Sequence, residues 1–159
     1  MKLYHGSNMR VVVPDLSRSK PFKDFGTGFY LSDSFDQAMD LAKSKVEQMR
    51  TGKATVNEFF FDETLLDTDE LSFKCFDDYS EEWAEFILTN RNNKISQPTH
   101  NYDIVYGPIA DDGVNYQLRR YRGGLISLQK LIEELKYAKG ITFQYLFGTE
   151  RASQKLKAL

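Results

Sequence analysis

Hydrophobic spacing along the chain predicts a mixture of strands and helices. Short apolar runs predict strands at residues 2–5, around Tyr30, and at residues 54–61, 102–110 and 141–147. Apolar residues at helical spacing predict a helix after Tyr30; they are Phe35, Ala38, Met39, Ala42, Val46 and Met49. The same spacing predicts three more helices: one with Trp83, Phe86 and Ile87, one over residues 126–139, and a short one over residues 149–159.

Small polar residues mark where the helices begin. Ser34 with Gln37 predicts a capping box at the first helix, Asp78 predicts the start of the second, and Thr149 that of the last. No repeat or low-complexity segment divides the chain. We therefore expect one α+β domain over residues 1–159, with a mixed or antiparallel sheet and flanking helices.

Composition narrows the class of protein without naming a function. The 159 residues are 41% hydrophobic and 28% charged, and the net charge of −2 argues against general attraction to nucleic acids or membranes. Residues 58–85 carry eleven acids and one base, whereas residues 119–159 carry nine bases and three acids. We interpret these as solvated faces of opposite sign, with a phosphate-binding edge as the alternative. The absence of an apolar leader predicts a cytoplasmic location.

The stretch DFGTGFYLS, residues 24–32, allows three interpretations. A kinase metal site needs a nucleotide lobe before the DFG, and only 23 residues precede Asp24. A glycine-rich phosphate loop needs a third glycine where Leu31 stands. The remaining interpretation is a strand that presents Tyr30, with Gly26 and Gly28 leaving space beside it.

Three polar side chains fall on predicted strands: His5, Tyr30 and Gln144. Taken singly, each has a structural explanation, namely a hydrogen-bonded histidine, a core tyrosine and an outward-facing glutamine. Their contexts are YHGS at 4–7, DFGTGFYLS at 24–32, YDIVYGPIADD at 102–112 and FQYLFGTERASQKL at 143–156. In this order they resemble the ADP-ribosyltransferase superfamily. The resemblance is to its His-Tyr branch, which includes diphtheria toxin and the poly-ADP-ribose polymerases, and more narrowly to a small bacterial family of unassigned function.

The resemblance implies a fold, a substrate and a role for each residue. It implies a split β-sheet core and cleavage of the nicotinamide glycosidic bond of NAD, without a metal. His5 would hydrogen-bond a ribose hydroxyl of NAD, and Tyr30 would stack on the nicotinamide. The segments around Gly6, Ser7, Gly26 and Gly28 would border the dinucleotide.

Gln144 stands where the well-studied relatives mostly have glutamate. An amide can orient the ribose, but it cannot ionise or act as a general base. Glutamine therefore suits transfer of a single ADP-ribose, and it is also compatible with a protein that only binds. Glu150 is a second, less well placed source of a carboxylate. The expected function is mono-ADP-ribosyl transfer to an unknown protein or nucleic-acid acceptor.

Two rival functions remain, a non-catalytic module that binds NAD or ADP-ribose, and an NAD glycohydrolase. Similar proteins are often toxins of bacterial conflict or toxin–antitoxin systems, so a small antitoxin or immunity protein is an expected partner.

Three other features have structural interpretations. ADDG at 110–113 is read as a turn rather than a metal site, and RRYRGG at 119–124 as a solvated loop rather than a phosphate or nucleic-acid site. Cys75, the single cysteine, is expected to be a buried thiol because it lies between Phe73 and Phe76.

Overall fold

The computed structural model describes residues 1–95, 97–137 and 140–159. These residues form one α+β domain, as the hydrophobic pattern predicts. The strands are β1 (Lys2–Ser7), β2 (Phe29–Leu31), β3 (Thr55–Phe60), β4 (Phe73–Cys75), β5 (Ile104–Pro108), β6 (Phe143–Phe147) and β7 (Lys157–Ala158). The α-helices are α1 (Phe35–Met49), α2 (Glu81–Arg91), α3 (Asp112–Arg122), α4 (Leu128–Lys136) and α5 (Glu150–Ser153).

The strands form two sheets that meet beside β2. The first sheet has the order β1-β3-β7 and is antiparallel throughout. The second has the order β2-β6-β5-β4, in which only β4 and β5 run parallel. One antiparallel bridge joins the sheets: Tyr4 and Ser32 exchange both backbone hydrogen bonds at 2.8 Å. This bridge holds β1 alongside the end of β2.

Helices cover the two sheets separately. Helix α1 packs on β1 and β3, while α2, α3 and α4 pack together on the other side of the domain. The core accordingly has two clusters of buried side chains. One includes Trp83, Ile87 and Val105 beneath α2 to α4, and the other includes Leu3 and Phe59 beneath the first sheet. Among the described residues, no helix is long and apolar enough to cross a membrane.

The capping predictions were partly correct. Ser34 accepts a hydrogen bond from the Gln37 backbone, but the Gln37 side chain does not return one to the Ser34 amide. Instead, Gln37 accepts from Ser32 Oγ (2.9 Å) and donates to the Phe143 carbonyl (3.2 Å), which ties α1 to the first residue of β6. Helix α2 begins after Ser80 and not after Asp78, because the Ser80 hydroxyl reaches the Trp83 amide at 3.0 Å.

Other predictions from the sequence were wrong. ADDG at 110–113 was expected to be a turn and RRYRGG at 119–124 a solvated loop, but Asp111 caps helix α3, which includes the arginines at 119, 120 and 122. The last helix ends at Ser153, and the chain then pairs with β3 as strand β7. Strand β4 was not predicted. Cys75, at the end of β4, is exposed rather than buried. The predicted end of α4 at residues 138–139 lies outside the described residues.

A buried carboxylate anchors the segment that follows β6. Asp103 is 1% exposed and accepts hydrogen bonds from the Ser72 amide (2.8 Å), Thr149 Oγ1 (2.6 Å) and Arg151 Nε (2.8 Å). Burial by itself raises the pKa of this carboxyl, but the hydrogen bonds from Arg151, Thr149 and Ser72 outweigh it and lower the pKa well below its usual value. Asp103 is therefore a charged group with a structural role, and its hydrogen bonds connect the start of β5 to the start of α5.

Candidate functional site

A cavity of about 350 Å³ opens where β1, β2, β6 and α1 meet. Its walls include His5, Gly6, Lys23, Tyr30, Lys45 and Gln144. Its volume is within the range of small-molecule sites. The structure thus brings together the three polar strand residues that are far apart in the sequence.

His5 faces this cavity in a defined protonation state. Its Nδ1 lies 2.8 Å from the Tyr30 carbonyl oxygen, which can only accept, so Nδ1 carries the hydrogen. Burial lowers the pKa of His5 to about 4; the ammonium groups of Lys45 and Lys23 add to this, and the hydrogen bond to Tyr30 opposes it. Near neutral pH the ring is therefore uncharged, and its Nε2 can accept a hydrogen bond. The ring also stacks on Phe29, with centroids 4.1 Å apart.

Tyr30 has the structural role of a core tyrosine, which was one of the interpretations of its sequence context. Its hydroxyl donates to the Gly26 carbonyl at 2.7 Å and accepts from the Phe25 amide at 3.0 Å. These two bonds hold the loop before β2, and burial raises the pKa of the hydroxyl well above its usual value. The Lys23 ammonium lies 5.3 Å from the centre of the ring. Tyr30 is therefore fixed in place, with its ring along the cavity wall.

Gln144 is the second residue of β6 and pairs with Gly107 of β5. The residue is 7% exposed. Its side-chain amide makes no hydrogen bond within residues 1–95, 97–137 and 140–159, although every fully enclosed side-chain nitrogen or oxygen among these residues has a partner. Because it also lines the cavity, the amide opens into it, free to bind a ligand. Glu150 is exposed at the start of α5 and does not line this cavity.

The other predicted ligand-binding residues are explained by packing. Gly6 lines the cavity, but a side chain there would lie 2.0 Å from the Ala38 carbonyl oxygen, so the glycine lets α1 lie close to β1. A side chain at Gly28 would meet Leu146 at 2.3 Å. Gly26, whose φ is +90°, borders a separate cavity of about 130 Å³. Ser7 is 3% exposed and donates to Asn8.

Two lysines in the cavity were not recognised from the sequence. Lys45 lies on α1 with Leu41, Ser44 and Gln48, and this stripe lines the cavity. For Lys45 the sequence did contain a signal, namely polar residues three and four positions apart on a helix whose opposite side is buried. Lys23 precedes β2 in an irregular loop, where the spacing of polar and apolar residues does not indicate which way a side chain points.

No alternative site of the expected kinds stands out in the described part of the chain. Asp111 and Asp112 begin a helix, and no three metal-binding side chains come together among the described residues. A larger groove of about 560 Å³ adjoins the cavity and shares Leu41, Ser44 and Ile109 with it.

Comparison with known proteins places the chain in one family. Residues 1–158 match the family described as "Protein of unknown function (DUF3990)". The chain belongs to the DUF3990 family. No curated protein and no solved structure matches it. The DUF3990 match includes every residue that lines the cavity. The DUF3990 description does not name ADP-ribosyltransferases, and that resemblance stays a prediction from the motifs.

Proposed function

We propose that the protein is an NAD-dependent mono-ADP-ribosyltransferase. The observation that supports this is the meeting of His5, Tyr30 and Gln144, from three different strands, on the wall of one cavity. These are the residues to which the motif resemblance gives a role at the nicotinamide end of NAD. The proposed toxin role and inhibitory partner rest on the resemblance alone.

Each side chain has a physical basis for its proposed role. Neutral His5 accepts a hydrogen bond from a ribose hydroxyl through Nε2, since Nδ1 is engaged by the Tyr30 carbonyl. The ring of Tyr30 stacks on nicotinamide, because aromatic rings favour offset stacking. The amide oxygen of Gln144 accepts from a second ribose hydroxyl and faces the positive charge that develops at the anomeric carbon.

The reaction breaks the bond between the ribose and the nicotinamide nitrogen. The electron pair leaves with nicotinamide, which becomes neutral, and the ribosyl carbon becomes oxocarbenium-like. An acceptor atom then donates its electron pair to that carbon and releases its proton to solvent. Gln144 cannot take this proton, which favours an acceptor that is nucleophilic without a general base.

One observation favours a second candidate, a module that binds NAD or ADP-ribose without cleaving it. Of the cavity-lining residues that the structure describes, Asp24 alone carries a carboxylate. Its two oxygens accept hydrogen bonds from Arg91 Nε (2.7 Å) and the Ala110 amide (2.8 Å). Both oxygens of Asp24 are thus engaged within the protein, so Asp24 is not free to act as glutamate does in the enzymes that the motifs resemble.

Nicotinamide release from NAD distinguishes the candidates. The assay compares the wild type with Gln144→Ala and Gln144→Glu, and uses Gln154→Ala, at an exposed glutamine, as the control. A transferase releases nicotinamide, and Gln144→Ala slows release by about 10²-fold with little change in NAD affinity, because the contact strengthens in the transition state. Gln144→Glu restores a carboxylate and is expected to raise NAD hydrolysis.

Cell lysate with labelled NAD then separates transfer from hydrolysis. Label on a macromolecule supports the transferase, whereas free ADP-ribose as the sole product indicates a glycohydrolase. NAD binding without nicotinamide release from the wild type or either Gln144 variant would contradict the proposal and leave the binding module.

A further inference from the structure

Two positive side chains line the same cavity as His5, Tyr30 and Gln144. Lys23 approaches from the loop before β2, and Lys45 from the last turns of α1. Neither lysine forms an ion pair with a residue that the structure describes. Lys23 is an exposed residue that lines the cavity, and its ammonium lies over the Tyr30 ring.

Among the described residues, no carboxylate forms an ion pair with either lysine in the cavity. Asp24, the carboxylate on its wall, forms an ion pair with Arg91 at 2.7 Å instead. Burial lowers the pKa of Lys23, and the ammonium groups of Lys45 and Lys20 lower it further, while the carboxylate of Asp24 offsets part of this effect. Burial and the charge of Arg18 likewise lower the pKa of Lys45. Like charges gathered at a cavity cost free energy in the free protein, and an anionic ligand removes that cost.

We propose that Lys23 and Lys45 form a diphosphate subsite that holds the middle of a dinucleotide. This inference rests on the proposed function, because it assumes that NAD is the substrate. It also sets the direction of NAD in the cavity. The nicotinamide ribose lies against His5, Tyr30 and Gln144, and the diphosphate lies between α1 and the loop before β2. The lysines act as point charges towards phosphate oxygens.

The position of Lys23 links the two halves of the site. Its ammonium lies 5.3 Å from the Tyr30 ring centroid, on the surface that the cationic nicotinamide ring of NAD would contact. Two positive groups repel each other on one aromatic face. A diphosphate draws Lys23 towards itself and leaves the ring to nicotinamide. Nicotinamide riboside, which lacks the diphosphate, is therefore expected to bind poorly even though it carries the stacking group.

Calorimetric titration of charged and uncharged ligands tests the subsite. The variants are Lys23→Gln and Lys45→Gln, and the matched control is Lys43→Gln, an exposed lysine on the same helix outside the cavity wall. ADP-ribose, ADP and inorganic pyrophosphate are expected to bind each cavity variant about tenfold more weakly than the wild type, as for loss of one charged hydrogen bond. Adenosine affinity and the Lys43→Gln variant are expected to be unchanged.

The outcomes separate this inference from the proposed function. If ADP-ribose affinity depends on both lysines but no protein releases nicotinamide, the subsite stands and the transferase fails. If nicotinamide release persists with an unchanged KM in both variants, the transferase stands and the subsite fails. Equal losses in Lys43→Gln, or unaltered ADP binding in Lys23→Gln and Lys45→Gln, would also overturn the subsite. A wild type that binds none of the three anions overturns the subsite, and nicotinamide release from NAD then decides the transferase by itself.

Discussion

Replacing Tyr30 by phenylalanine removes one oxygen atom and two hydrogen bonds. The Tyr30 hydroxyl bridges the Phe25 amide and the Gly26 carbonyl at 3.0 and 2.7 Å. Each bond contributes about 1 kcal/mol net, and a buried amide left without a partner adds to the loss. Phe25 is fully buried. We therefore expect Tyr30→Phe to lower the free energy of unfolding by about 2–3 kcal/mol.

Urea unfolding followed by tryptophan fluorescence measures this loss, because the single tryptophan, Trp83, is fully buried. The slope against urea is expected to stay constant, so that the change lies in the midpoint. The melting temperature is expected to fall by roughly 4–12 °C for a chain of this length. The control is Tyr116→Phe, at a tyrosine that is 54% exposed, with an expected change of less than about 0.5 kcal/mol.

A Tyr30→Phe protein as stable as the Tyr116→Phe control would refute the reasoning, since the two bonds would then contribute nothing. The same variant separates the two roles of Tyr30. Under the proposed function it keeps the stacking ring and so retains NAD affinity, whereas Tyr30→Ala loses about 1 kcal/mol of stacking as well. Equal losses of affinity in both variants would instead assign binding to the hydroxyl.

Three further predictions concern other residues. The pKa of folded His5 is lowered to about 4, so unfolded chains bind a proton at this residue first as the pH falls. The free energy of unfolding is therefore expected to decline from about pH 6.5 towards pH 4. Urea unfolding of His5→Asn should show a shallower decline with pH, and the same pH dependence in both proteins would contradict this. Gly6→Ala is expected to lower the free energy of unfolding by about 3 kcal/mol in thermal unfolding, because its side chain would meet the Ala38 carbonyl. Gly113→Ala on α3 would place its side chain in ordinary contact with Asp111 Oδ1 at 3.5 Å and should be neutral or stabilising. Equal effects would rule out close packing as the cause. Asp103→Asn is expected to lower the free energy of unfolding by roughly 3 kcal/mol, because it removes the negative charge that pairs with Arg151. An unchanged urea midpoint would show that the ion pair is not stabilising.

Periodicity was sufficient where an element has a broad apolar face. Helices α1 and α4 and strands β3, β5 and β6 were predicted near their observed bounds for this reason. Helix α3 was missed because Val114 and Leu118 are the only aliphatic residues in its sequence, and two such positions among charged and polar residues do not distinguish a helix from a loop. Strand β7 has two exposed residues, and its pairing with β3 is a long-range contact without a local signal.

The candidate site was predicted in part, for a different reason. His5, Tyr30 and Gln144 were singled out because polar residues are unexpected on apolar strands and because their motifs resemble a known superfamily. The sequence contained a polar stripe on α1 but could not place Lys45 beside these residues, since that depends on how α1 crosses β1. The irregular loop before β2 gave no direction for the side chain of Lys23. Gly6 sets this crossing, and its importance appears only when Ala38 lies against it.

The bridge between Tyr4 and Ser32 makes the opening of the cavity measurable in solution. His5 belongs to one sheet and Gln144 to the other, so any parting of the sheets widens the cavity between them. The amides of Tyr4 and Ser32 each donate across that boundary at 2.8 Å and are shielded from solvent only while the sheets are together. Their rates of hydrogen–deuterium exchange therefore report the free energy of opening at this seam, without a ligand or an assay of activity.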